Sequence, residues 1–197
     1  MASKPRTHDA EALVDRDEFW RLIEDCAEGR SNPEDFEELL RERLEELDDA
    51  DVLAFDDEFR SLSAEAYDWG LWGAAYVIGG GCSDDSFEYF RSWLICQGQD
   101  SYEAALADPD SLAELAVELE DPEEILFGFE SMAYVATEIW QERHGSGELP
   151  ERGPMAGLEP SGEAFDEDDA PLLRNRYPQL WDHFGGDELD EFEIGDD

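Results

Sequence analysis

Residues 68–98 read DWGLWGAAYVIGGGCSDDSFEYFRSWLICQG, and the fold class follows from how that stretch divides. From Asp68 to Ile78 it is apolar on nearly every side, through Trp69, Leu71, Trp72, Ala74, Ala75, Tyr76, Val77 and Ile78. A helix with no polar face has nothing to offer solvent, so this one is expected to be central and buried. Gly79, Gly80 and Gly81 interrupt it as a tight turn. Ser83 then stands as an N-cap, with Asp84 and Asp85 in a first turn where carboxylates favour the positive end of the helix dipole. Phe87, Phe90, Trp93 and Leu94 follow at core spacing, and Gly98 ends the helix.

The same three- and four-residue spacing extends outward on both sides. Phe19, Trp20, Leu22, Ile23 and Cys26 make an amphipathic helix in DRDEFWRLIEDCAEG, stopped at Gly29. Asn32 before Pro33 reads as an N-cap followed by proline at the first helical position, with a stripe of Phe36, Leu39, Leu40, Leu44 and Leu47. Val52, Phe55, Phe59 and Leu62 form a third helix, entered through Asp48, Asp49 and Asp51 and running towards Tyr67. Beyond Gly98, shorter helices are expected over Ser101–Ala107 and over Asp110–Leu119, the latter capped by Asp110 or Ser111. A last long helix should begin at Ile125 or Phe127 and end at Arg143. No strand alternation interrupts this pattern.

The expectation is an all-α fold, a bundle-like single domain of six to eight helices over residues 12–145, preceded by a disordered start over 1–11. Residues 146–169 shift to glycine, proline, serine and acids, the composition of a linker. Leu172, Leu173, Tyr177, Leu180, Trp181 and Phe184 then form an apolar patch too large to leave in water. Residues 170–185 are therefore read as a segment that docks back on the helices. The acidic end, 186–197, is read as a mobile tail.

Charge is the second strong signal. Of 197 residues, 55 are acidic and 13 basic, a formal net charge of −42. Residues 1–50, 51–100, 101–150 and 151–197 carry nets of −10, −8, −12 and −12. So even a spread points to an acidified whole surface, as in adaptation to high salt, where counter-ions screen the self-repulsion. Direct contact with DNA, RNA or an anionic membrane is excluded, since each phosphate contact needs a cation. A basic protein partner is compatible. There is no apolar run long enough for a bilayer and no apolar centre of a signal peptide, so a soluble cytoplasmic protein, monomeric or weakly associating, is expected. Cys26, Cys82 and Cys96 are an odd set with no close pair, which suggests neither a disulfide framework nor a zinc knuckle.

The motif also carries a resemblance. Asp68, Trp69, Trp72, Gly73 and Ala74 before the turn, and Ser83, Asp84, Asp85, Phe87, Tyr89, Phe90, Arg91, Trp93, Leu94, Ile95 and Gly98 after it, resemble the signature of the bacterial domain-of-unknown-function family 4240. FWRLIE near the start and YPQLW near the end match it more loosely. The resemblance implies the domain limits and no reaction, cofactor or partner.

Two groups of residues stand out as candidate sites. Asp68, Ser83, Asp84, Asp85 and Arg91 form a polar constellation with two readings. They cap helices and pair internally, Arg91 reaching another element such as Asp68; or the three aspartates converge as an acidic pocket for a divalent cation or a partner's arginine. Trp69, Trp72 and Trp93, with Trp140, either fill the core or line an aromatic groove able to cage a cation. The glycine triplet lacks the lysine of a phosphate loop, and its following aspartates would repel phosphate. Nucleophilic catalysis would need Cys82 or Ser83 to meet a histidine such as His144; His8 sits in the disordered start, and His144 and His183 each stand beside a glycine at a helix end. No cofactor is expected, apart from the divalent cation of the acidic-pocket reading. The sequence therefore favours a non-enzymatic interaction module that binds a basic partner, for instance in an immunity-like or inhibitory role. The alternative is a metal-assisted hydrolase at Asp68, Asp84 and Asp85.

Overall fold

The first five helices begin where short polar side chains take up backbone N–H groups. In a computed structural model, which describes residues 15–29, 32–116, 129–145, 150, 157 and 159–185, α1 spans Arg16–Gly29, α2 Pro33–Glu45, α3 Asp49–Glu65, α4 Trp69–Gly79 and α5 Asp84–Ile95. Asn32 caps α2 through Asp35 N at 2.7 Å. Asp48 caps α3 through Ala50 N at 2.9 Å. Asp68 caps α4 through Gly70 N at 2.7 Å, and Ser83 caps α5 through Ser86 N at 3.2 Å. Each cap satisfies donors that the helix itself leaves unpaired. The glycine turn closes α4 with Gly80 in the left-handed region (φ 62°), where a side chain would be strained.

The chain continues with α6 (Gln99–Ala107), a 3₁₀ turn (Pro109–Ser111), α7 (Leu112–Ala116), a second 3₁₀ turn (Glu130–Tyr134), α8 (Val135–His144), α9 (Ala170–Arg176) and α10 (Pro178–Phe184). With ten α-helices and no strand among the described residues, the fold is all-α. Helices α1, α2, α3 and α8 pack on one another, and α5 joins α3 to α4. Phe19 meets Phe55 with ring centroids 4.8 Å apart, and Phe36 meets Phe129 at 6.0 Å, tying the core across these helices.

Two expectations change in this part of the chain. The turn before α7 is capped by Asp108, which accepts from Asp110 N at 3.2 Å. Neither Asp110 nor Ser111 has that role, and the expected extension to Leu119 lies outside the described residues. The segment before α8 is 3₁₀ rather than the opening of one long helix, whose expected start at Ile125 or Phe127 is likewise outside them. Three residues per turn stack Phe129 above Met132, and both are buried.

Helix α4 is enclosed by α5, by the Pro109–Ser111 turn and by α10. Gly73 lets α10 approach: a Cβ there would collide with the hydroxyl of Tyr177. That buried hydroxyl donates to Gly70 O at 2.7 Å, and burial pushes its pKa up to about 12. Tyr177 occupies the N-cap position of α10 but provides no side-chain cap. Asp110, only 5% exposed, supplies it from across the fold. Its Oδ1 accepts from Gln179 N at 3.1 Å and Leu180 N at 3.0 Å, and its Oδ2 from Gln179 Nε2 at 3.2 Å. A short helix with a capless start is thus completed by a carboxylate 69 residues earlier in the chain.

The composition of residues 146–169 reads as a linker, yet the described part from 159 onward is a strap along α4. Trp69 N donates to Ser161 O and Ser161 N to Tyr67 O, both at 2.9 Å. Phe165 lies against Trp69 and Tyr76, with ring centroids at 6.0 and 5.5 Å. The few apolar atoms in the strap are placed where α4 has rings to cover.

Asp110→Ala should lower the unfolding free energy by about 2–3 kcal/mol, because it strips three donors of a buried acceptor. Asp110→Asn, which keeps one acceptor oxygen, should lose about half as much. Denaturant titration measures both, and limited proteolysis should cut the α9–α10 region first in the alanine variant.

Candidate functional site

The two groups of candidate residues separate into caps, core and one groove. Asp68 is consumed locally: its Oδ1 caps α4 and its Oδ2 accepts from Ser161 Oγ at 2.8 Å, so this carboxylate anchors the strap. Ser83 caps α5 and shares a 2.9 Å bond with Ser86 Oγ. Asp84 and Asp85 are exposed in the first turn of α5. Among the described residues, no three His, Cys, Asp or Glu side chains gather closely enough to hold a metal ion, and Asp68, Asp84 and Asp85 are no exception.

Arg91 does not pair with Asp68. It is 8% exposed, donating to Ser63 O at 2.8 Å, Ser63 Oγ at 3.1 Å and Phe87 O at 3.3 Å. Its guanidinium lies 4.8 Å from the Tyr67 ring centroid and 5.2 Å from that of Phe87. Burial lowers its pKa, which starts too high for the charge to be lost. Carbonyls and ring faces together solvate a cation that has been taken out of water.

Of the tryptophans, Trp93 is fully buried and belongs to the core. Trp140 stacks on His144, whose Nε2 lies 2.9 Å from Asp49 Oδ2. His144 is thereby occupied away from Ser83, and no nucleophile–base pair forms between them. Trp69 and Trp72 are half-buried and stack nearly parallel, at 5.0 Å and 10°. Trp72 stacks in turn on Phe87, at 4.8 Å and 12°, and its Nε1 donates to Cys82 O at 2.9 Å.

Trp69, Trp72, Tyr76 and Phe165 line an open groove of about 490 Å³ together with Cys82, Asp166 and Glu167. Its surroundings are acidic, with Asp168 near Tyr76 and Asp84 near Cys82. Burial first, then Glu167 and Asp168, raise the pKa of the Tyr76 hydroxyl. Burial, with Asp84 adding to it, pushes the Cys82 thiol up to about 12. Cys82 is therefore a protonated wall and no nucleophile at neutral pH.

A family model described as "Protein of unknown function (DUF4240)" matches residues 14–142. The chain belongs to that family. No curated protein and no solved structure matches it. The matched span holds α1 to most of α8, including Trp69, Trp72, Tyr76 and Cys82. Phe165, Asp166 and Glu167, which also line the groove, come from beyond it. No helix among the described residues is long and apolar enough to cross a membrane.

The sequence offered Trp69, Trp72 and Trp93 as core or groove and Cys82 as a nucleophile, but missed Tyr76 and Phe165 as groove walls. Tyr76 is hidden in an otherwise apolar helix, and Phe165 sits alone in an acidic segment with no periodicity to betray it.

The raised Cys82 pKa fixes a pH expectation. A thiol titrating near 12 instead of 9 exposes about a thousandth of the usual thiolate at pH 8. Alkylation by iodoacetamide should then run at least about a hundredfold slower than in the urea-unfolded chain and accelerate only in strong alkali. Mass spectrometry of the Cys82 peptide checks the rate, and alkylation near the unfolded rate would show the thiol to be unburied.

Proposed function

We propose that this protein is a non-enzymatic interaction module that binds a basic segment of a partner protein on the face formed by α4 and the strap. The observation that carries the reading is the groove: partly exposed aromatic rings set between carboxylates. Large rings left accessible on a soluble surface mark a recognition site more often than an accident of packing. The carboxylates around these rings, Asp84, Asp166, Glu167 and Asp168, make no ion pair with a described residue, whereas the ion pairs of the described residues lie within or between α1, α2, α3 and α8. A basic partner would therefore find free negative charge beside an apolar floor. The general acidity of the rest of the surface is salt adaptation and speeds encounter without choosing the partner.

Chemistry for the opposing, enzymatic reading is not assembled on this face. Asp68 is spent on a cap and a latch, Arg91 on carbonyls, and Cys82 is protonated.

Neutralising Asp166, Glu167 and Asp168 together (to Asn, Gln and Asn) should weaken binding of an arginine- and lysine-rich peptide by about tenfold at about 0.15 M salt. Neutralising Glu34, Glu38 and Glu42 on the exposed side of α2 to Gln removes as much charge and should change it by less than about twofold. Isothermal titration of both triple variants decides the matter. Equal losses would mean that the peptide sees only diffuse charge, and the reading would fail.

A further inference from the structure

The rings at the groove form one end of a column. Trp69 stacks on Trp72, Trp72 on Phe87, and the guanidinium of Arg91 lies over Phe87 and Tyr67 at the other end. The inner end of the column is thus closed by the chain's own arginine. Each ring presents a negative π face, and a stack of them attracts a flat, weakly hydrated cation better than a compact, strongly hydrated one. The outer end, Trp69, opens into the groove, where Phe165 meets it edge-on at 76° and Asp166 and Glu167 stand at the side.

We propose that the groove is a subsite for one arginine side chain of the partner, its guanidinium lying among the rings of Trp69, Tyr76 and Phe165 and its N–H groups meeting Asp166 and Glu167. The proposal rests on the basic-partner reading and sharpens it from charge to side-chain identity. Two features select arginine over lysine, and a third makes room for it. The floor is aromatic, so planarity is rewarded. The carboxylates are on the strap, so a fork of donors can bond them while the plane still lies on the rings. The volume, about 490 Å³, admits a long side chain together with the backbone that carries it. The wall that completes the subsite is held by Ser161, bonded to Tyr67, Asp68 and Trp69, and by Arg176, which donates to Glu163 O at 3.2 Å, and this gives Asp68 its place in recognition.

The test compares two capped peptides of alternating glycine and arginine, or glycine and lysine, of equal charge. Each is titrated into the full-length protein at about 0.15 M salt, with tryptophan fluorescence as the readout. The arginine peptide should bind about five- to tenfold more tightly and quench the emission. In Trp69→Leu that preference should fall to about one, with residual binding from charge alone. Phe165→Leu, in the strap and outside the helical core, should lose it as well and guards against a folding defect in the first variant, both being checked by circular dichroism. If the wild type binds both peptides with equal affinity, or if either folded variant keeps the preference, the arginine subsite is wrong while the basic-partner reading stands. If neither peptide binds, both readings fall together.

Discussion

An eleven-residue helix that is apolar on all sides must be covered on all sides, and most of this molecule is arranged to do that for α4. Its buried residues include Leu71, Ala74, Ala75, Val77 and Ile78, and each such side chain contributes roughly 1–3 kcal/mol when withdrawn from water. One neighbour is not enough. Helix α5 covers one side and the Pro109–Ser111 turn another, while α10 returns from far along the chain to close a third. The close approach of α10 needs Gly73, and its start needs the Asp110 carboxylate. What remains of α4 after this enclosure is the side carrying Trp69, Trp72 and Tyr76, and that side is where the strap and the groove lie.

The charge of the chain acts on a different level. A net −42 is a cost to any compact state, and the few cations are set where they bridge helices: Arg16 to α3, Arg41 to α8, and Arg143 to α3. Exposed pairs of this kind are individually weak, so they temper repulsion more than they hold the fold. Arg91 is the exception. It is buried without an ion pair among the described residues, and its charge is met by two carbonyls, a hydroxyl and two ring faces. A protein with 13 basic residues against 55 acidic ones that still commits an arginine to its interior, away from those acids, shows how well this aromatic layer accommodates a guanidinium.

The all-α class and the starts of α2, α3 and α5 were legible because their causes are local: an N-cap, an acidic first turn and a stripe at helical spacing lie within a few residues of one another. Trp93 and Trp69 share the same residue type and the same motif, yet one is core and the other lines a groove. Only the packing of α5 against its neighbours separates them. Arg91 was expected to reach a carboxylate on another element, such as Asp68, because the aspartates of its own helix lie two turns away, and the sequence gives no sign that Ser63 O and two ring faces would take that place. Asp110 as a cap for α10 and Phe165 as a wall of the groove are long-range pairings, 69 and 96 residues from Gln179 and Trp69, and no local pattern encodes them. The resemblance to the family was legible in the 68–98 stretch, where Asp68 caps α4, Gly73 admits α10 and Trp72 stacks on Phe87.

The central claim is that the segment from 170 to 184 is part of the same cooperative unit as α4. Native-state hydrogen exchange resolved by residue tests it directly. Amides of α10, Gln179 and Leu180 among them, should open with the same free energy as those of α4 and respond equally to denaturant. Exchange of α10 at unfolded-chain rates while α4 stays protected would contradict the account, and would mean that α4 is covered by something else.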